Sequence, residues 1–239
     1  MKFFIQNTDL DNKIRDIRLK IRLSMNGVVA DKMTNDGIIY RKNYGVDFPR
    51  IKEIAKEYPQ NKDLAQRLWA LQIRETMIIA TILQPVESYT EEMAEEWLMS
   101  LNHTEIVEQT CMNLFSKLPY AAKLCLKWIE SDNKWVRITS IILAARIWQQ
   151  FEREKVEILL AKSIELADTS DFHQYKAISL LLCRLCRLGK DVSSLIMNEI
   201  KHFETYHLLS IGPYKDKLIF QSYLLFHIFD KEPIIFFFD

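Results

Sequence analysis

Glycine and proline are scarce in this chain, with five glycines and six prolines in 239 residues. A β-sandwich or barrel needs turn residues every ~8–12 positions, so the scarcity argues against both and favours helices joined by short loops. Cysteine is scarce too. Cys111, Cys125, Cys183 and Cys186 are too few and too irregularly spaced for a disulfide framework. The opening stretch has no apolar segment of signal-peptide length. No run of about 18 uncharged apolar residues occurs. A reduced, cytoplasmic protein with no membrane contact is expected. Charge of one sign is missing as well, because 32 basic and 32 acidic residues cancel, and no global field advertises a polyanionic partner. The distribution is less even: residues 1–60 carry 12 basic and 8 acidic side chains, and residues 61–120 carry 4 and 9. A local basic face at the start of the chain therefore stays open. Gly-rich phosphate loops, HExxH, a nucleophile elbow and cysteine/histidine zinc spacings are all absent, so no metal and no cofactor are expected.

What is present is a packable chain. Apolar residues make up 49% and aromatics 11%, enough for a buried core and too much for disorder. The spacing is helical almost throughout. Leu10, Ile14, Ile17, Ile21 and Met25 recur every three or four residues, with Lys13, Arg15, Arg18, Lys20 and Arg22 between them. Asn26-Gly27 stops that helix, and a short one follows from Val28 to Asn35. Asp47-Phe-Pro49 reads as an N-cap with proline in the first turn of a helix through Tyr58. Helices are expected over about 62–71, 73–83, 91–101, 103–117 and 119–130, with Thr90 capping the third of these. Ser131-Asp132-Asn133 caps a long apolar helix over 134–151. Helices over 155–167, 172–188, 193–203 and 214–229 complete the series. Paired helices of about 10–17 residues with short links, repeated five or six times, are the mark of an α-solenoid. The expected architecture is thus all-α, a superhelix of about six HEAT-like antiparallel helix pairs in one domain, residues 1–239. A compact helical bundle is the structural alternative. The apolar end, Pro233 to Asp239, is expected to tuck into the last repeat.

Isolated chemical signals have plain readings. Cys183-Arg-Leu-Cys186 lies inside a helix with no partner pair and reads as small buried residues. His103, His173, His202, His207 and His227 are scattered. Trp128 and Trp135 read as core aromatics, and Glu105 with Glu108 as a solvated acidic turn. These residues carry no autonomous catalytic signature.

Several longer stretches together resemble the AlkD-type DNA alkylation repair proteins. They are Ser24-Met-Asn-Gly-Val-Val-Ala-Asp-Lys-Met33, Tyr44-Gly-Val-Asp-Phe-Pro49 with Ile54-Ala-Lys56, Leu68-Trp69, and Glu105-Ile-Val-Glu-Gln-Thr-Cys-Met-Asn-Leu-Phe115 leading into Pro119. The most specific piece is Lys127-Trp-Ile-Glu-Ser-Asp-Asn-Lys-Trp-Val-Arg137. The likeness runs from about Ser24 to Leu188. It implies HEAT-like helix pairs with a concave, DNA-facing groove, in a family of DNA glycosylases that excise positively charged alkylpurines without flipping the base into a pocket, unlike the usual extrusion strategy. A carboxylate there stabilises the charge that develops on the sugar as the base leaves. Aromatic rings contact the lesion's nucleotide, and an arginine grips phosphate.

The resemblance weakens at those positions. Where the family has Trp-Asp-x-x-Asp, this chain has Thr104-Glu-Ile-Val-Glu108, so Glu108 stands at the catalytic carboxylate and Thr104 at the first tryptophan. The functional second arginine of the family corresponds to Ile138, with Arg137 one position early and about 100° around the helix. The second tryptophan corresponds to Leu180. Losing one electrostatic partner typically costs about 3–4 kcal/mol of catalysis, so the favoured reading is an AlkD-like protein that binds DNA on its concave face with weak or absent glycosylase activity. An active alkylpurine glycosylase using Glu108 is the alternative, and a protein-interaction scaffold a further one. Lys134, Arg137, Lys176 and Arg184 are the expected DNA-backbone contacts, with ordinary solvated surface as their plain reading. The expected partner is duplex DNA, alkylated or not. A protein partner stays open, and a monomer is expected.

Overall fold

The computed structural model describes residues 4–209, with side chains to residue 201. Within them are twelve α-helices: α1 (Thr8–Leu23), α2 (Gly27–Asn35), α3 (Phe48–Lys56), α4 (Lys62–Ala70), α5 (Arg74–Leu83), α6 (Glu91–Leu98), α7 (Thr104–Asn113), α8 (Ala121–Trp128), α9 (Lys134–Arg146), α10 (Arg153–Leu166), α11 (Phe172–Leu185) and α12 (Lys190–Leu209). The only β-pairing among the described residues is an isolated bridge between Lys42 and Ile73. The helix expected over 214–229 and the apolar end lie outside the described residues.

Side-chain caps set most of the helix starts. Asn7, Asn26, Asp47, Asn61, Thr90, Asn133 and Asp171 each accept a hydrogen bond from an orphan backbone N–H of the first turn. Three helices end sooner than the apolar pattern suggests. Beyond Asn113, Arg146 and Leu185 the chain tightens into short 3₁₀ turns, Phe115–Lys117, Trp148–Gln150 and Cys186–Leu188. Apolar spacing cannot distinguish such a tightened turn from a continuing α-helix.

The chain divides into two compact units, residues 1–121 and 122–239. In the first unit, helix pairs repeat with a constant sequence offset. Trp97 Nε1 donates to Gln66 Oε1 (3.2 Å), 31 positions apart, and Trp97 stacks on Trp69 at 4.0 Å. Asn113 Nδ2 donates to Thr81 Oγ1 (2.9 Å) across 32 positions, and Tyr120 donates to the Tyr89 carbonyl (2.5 Å) across 31. Thus α4 packs beside α6 and α5 beside α7 in the same register. In the second unit, α9 and α11 lie side by side and parallel with an offset of 37, set by Lys134 with Asp171 and Arg137 with Gln174. Parallel neighbours one helix pair apart define a HEAT-like array, and the chain is all-α of that kind.

The segment between α2 and α3 has no helix of its own and is pinned instead by α5. Glu75, fully buried, accepts the backbone N–H groups of Tyr44 and Val46, and Arg74 Nη1 donates to the Val46 carbonyl at 2.7 Å. Gly45 sits there at φ +67, where a Cβ would stand 2.1 Å from the Asn26 carbonyl oxygen. Only glycine fits.

Candidate nucleic-acid interface

The residues expected to carry function fall in both units. In the first, α7 begins with Thr104 and carries Glu105 and Glu108, all half-buried. Glu105 is committed to the fold. It accepts Arg74 Nε at 3.0 Å and Nη2 at 2.5 Å, and Tyr40 Oη at 2.8 Å. Burial and the Glu105 carboxylate together push the Tyr40 phenol well up. His103, buried just before α7, meets the Tyr40 ring edge-on at 4.1 Å, and neither of its ring nitrogens has a partner on another residue. Burial pulls its pKa down to about 4, so it is neutral near pH 7. Glu108 lies one turn further along α7.

In the second unit, the parallel packing of α9 and α11 gathers cations and rings. At their N-terminal ends Lys134 pairs with Asp171 at 2.7 Å and lies over the Trp135 ring at 5.1 Å. Burial alone raises the Asp171 carboxyl, but Lys134 and the Gln174 N–H outweigh it and hold it below the usual range. Trp135 is 5.8 Å from the ring of His173, which in turn meets Phe172 at 6.0 Å. Phe172 is 67% exposed, a large ring left in water at a helix start. Arg137 is turned inward: Nη1 donates to the carbonyls of Ser131 (2.8 Å) and Asp132 (2.9 Å), and its other nitrogens face Gln174 Oε1 at 3.4 Å. Ile138 beside it is fully buried. Leu180 and Lys176 are half-buried on α11.

Arg184 lies at the other end of α11, about 12 Å along the axis from Lys176. The offset of 37 brings the end of α9 to it. Burial first, then the positive charges of Arg187 and Arg146, push the Arg184 guanidinium below its ordinary value. Among the described residues, no carboxylate pairs with Arg146, Arg184 or Arg187. Cys183 and Cys186 are free thiols, pushed up by burial to about 12 and about 11, so neither is a reactive thiolate. No three His, Cys, Asp or Glu side chains among the described residues are grouped to hold a metal. No helix of the described residues is long and apolar enough to cross a membrane.

This geometry rests on parallel neighbouring helices whose far ends bring Arg146 near Arg184. The family model described as "DNA alkylation repair enzyme" matches residues 21–190, running through both units. The chain belongs to the DNA alkylation repair family. No curated protein matches it. Among solved structures, one from "a new family of proteins related to the HEAT-like repeat DNA glycosylases with affinity for branched DNA structures" matches with a TM-score of 0.69 and 16% identity, over 78% of this chain and 82% of that one. That likeness is one of fold.

Sequence reasoning singled out Arg184 but missed Arg146, Arg187, Phe172 and His173. Arg146 is the last residue of α9, and Arg187 lies in the 3₁₀ turn Cys186–Leu188 that follows α11. Only the packing of α9 on α11 brings their charges together.

Proposed function

We propose that this protein binds DNA through backbone contacts, with branched DNA as the preferred form and glycosylase activity weak or absent. The observation that carries it is the basic end of α9 and α11, where Arg184 feels the positive charges of Arg187 and Arg146 and, among the described residues, none of the three has a carboxylate partner. Like charges held together are unfavourable unless an anion joins them, and planar guanidiniums suit phosphate. At the opposite end of the same two helices, the exposed Phe172 and the His173–Trp135 row offer ring faces to unstacked bases. A branch point supplies both a backbone and bases whose stacking is interrupted. The structural relative's affinity for branched DNA supports that preference. Weak or absent catalysis follows from Thr104, Ile138 and Leu180 at the family's aromatic and arginine positions.

The test is binding of a labelled four-way junction and a linear duplex of equal length across a salt series, with the triple variant Arg146→Gln, Arg184→Gln, Arg187→Gln. Each phosphate contact contributes about 0.9 to the slope of log K against log salt. The variant should lose a slope of about 2–3 and at least tenfold in affinity at low salt. Absence of DNA binding by the wild type overturns the proposal and favours a protein partner. Release of 7-methylguanine or 3-methyladenine that disappears in Glu108→Gln would instead make this an active glycosylase.

A further inference from the structure

Helix α1 carries five cations and three carboxylates, and three of its arginines are not used by the fold. Leu10, Ile17 and Ile21 are buried on its inner side. On the outer side stand Arg15, Arg18 and Arg22, all exposed. Three- and four-residue steps place the three within an arc of about 60° and along about 10.5 Å of axis. Leu19 and Leu23, 47% and 78% exposed, lie between and beside them. A shallow open depression is bordered by Arg15, Asp16, Arg18, Leu19 and Arg22.

The acidic residues of α1 do not neutralise this row. Asp9 pairs with Lys13 at 2.7 Å, Asp11 with Arg67 at 3.5 Å, and Asp16 with Lys20 at 3.0 Å. Lys20 reaches on to Glu57 at 2.6 Å, and Tyr58 donates to Asp16. Every carboxylate of α1 therefore has a cation other than the three arginines. Among the described residues, Arg15, Arg18 and Arg22 have no ion pair and no hydrogen-bond partner.

We infer that the outer face of α1 is a second nucleic-acid surface, at which Arg15, Arg18 and Arg22 hold the phosphate backbone of a duplex arm. This rests on the reading of the protein as a DNA binder and adds a contact surface in the first unit, distinct from the α9–α11 face of the second. One strand presents a phosphate every ~3.4 Å of helix rise, so flexible arginines spread over ~10.5 Å can reach three or four in succession. Arginine suits that task better than lysine because its fork meets phosphate oxygens in pairs. A lipid surface is a poorer fit, since membrane-lying helices bury a continuous apolar face and the apolar face of α1 is already packed inside. Two surfaces also give a physical basis for preferring branched over linear DNA: engaging a second arm raises affinity through effective concentration, without any new kind of contact.

The variant Arg15→Gln, Arg18→Gln, Arg22→Gln leaves the packed side of α1 untouched, and circular dichroism should confirm unchanged folding. On the junction its salt slope should fall by about 2–3 relative to wild type. Its preference for the junction over the linear duplex should shrink at least fivefold. The variant with lysine at all three positions should keep most of the slope. An unchanged slope and preference, with the α9–α11 variant impaired, overturns this inference and leaves the proposed function standing. The reverse pattern supports this inference and overturns the α9–α11 assignment. If the wild type binds no DNA, both fall. Loss of binding to vesicles rich in anionic lipid, with junction binding intact, would assign the face to a membrane and overturn the inference.

Discussion

Arg74 and Glu105 stand 31 positions apart in the sequence and 2.5 Å apart in space, joining the first turn of α5 to the first turn of α7. Arg74 also meets Glu75 at 3.1 Å, and Tyr40 donates to the far side of Glu105. The first carboxylate of the Glu-Ile-Val-Glu stretch is thereby a structural anchor. Removing one member of a buried pair costs about 3–5 kcal/mol. Glu105 keeps some exposure and Arg74 retains Glu75, so Glu105→Gln should lower stability by about 3 kcal/mol in urea unfolding. An unchanged urea midpoint would show that Glu105 is no anchor.

His103 predicts a pH dependence. Its folded pKa of about 4 lies below the ordinary 6.5. As pH falls through 6.5 the unfolded chain takes up a proton that the folded chain refuses, so acid favours unfolding. The contribution of His103 to stability should be flat above pH 6.5 and fall by up to about 1.4 kcal/mol per pH unit down to about pH 4. His103→Phe keeps the ring against Tyr40 and removes the proton. The difference between wild type and variant over that window is the measurement; parallel curves would contradict the assignment.

An arginine introduced at position 138 should confer no activity. Ile138 has no exposed surface, and an unpaired charge buried there costs several kcal/mol. Ile138→Arg should unfold the protein or lower its thermal midpoint by more than 10 °C, without gain of alkylpurine release. A stable, catalytic Ile138→Arg variant would show that the α9 core yields to a functional arginine.

Much of the helical content was legible in the residues because its signals are local. The caps at Asp47, Thr90 and Asn133 were readable from side-chain chemistry within three positions, whereas Asn26-Gly27, expected to stop α1, instead starts α2, and α1 ends earlier at Leu23. The family was legible because Lys127 to Arg137 and its companion stretches keep their residue types in order. Early endings at Asn113 and Arg146 were not readable, since a 3₁₀ turn carries the same apolar spacing as the helix before it.

By itself, then, the sequence determined helices, their caps and the family, all of which depend on neighbours a few residues away. Tertiary structure alone decided which charges are committed and which are left over. Glu105 and Arg137 look like surface residues in the sequence, yet one is tied to Arg74 and the other to the Ser131 and Asp132 carbonyls. Arg146 joins Arg184 because parallel packing brings two helix ends together across 38 positions. Among the described residues Arg15, Arg18 and Arg22 stay unpaired because Asp9, Asp11 and Asp16 are held by other cations. Charge pairing falls off within a few ångströms, and only the folded chain sets distances that short between residues so far apart in sequence.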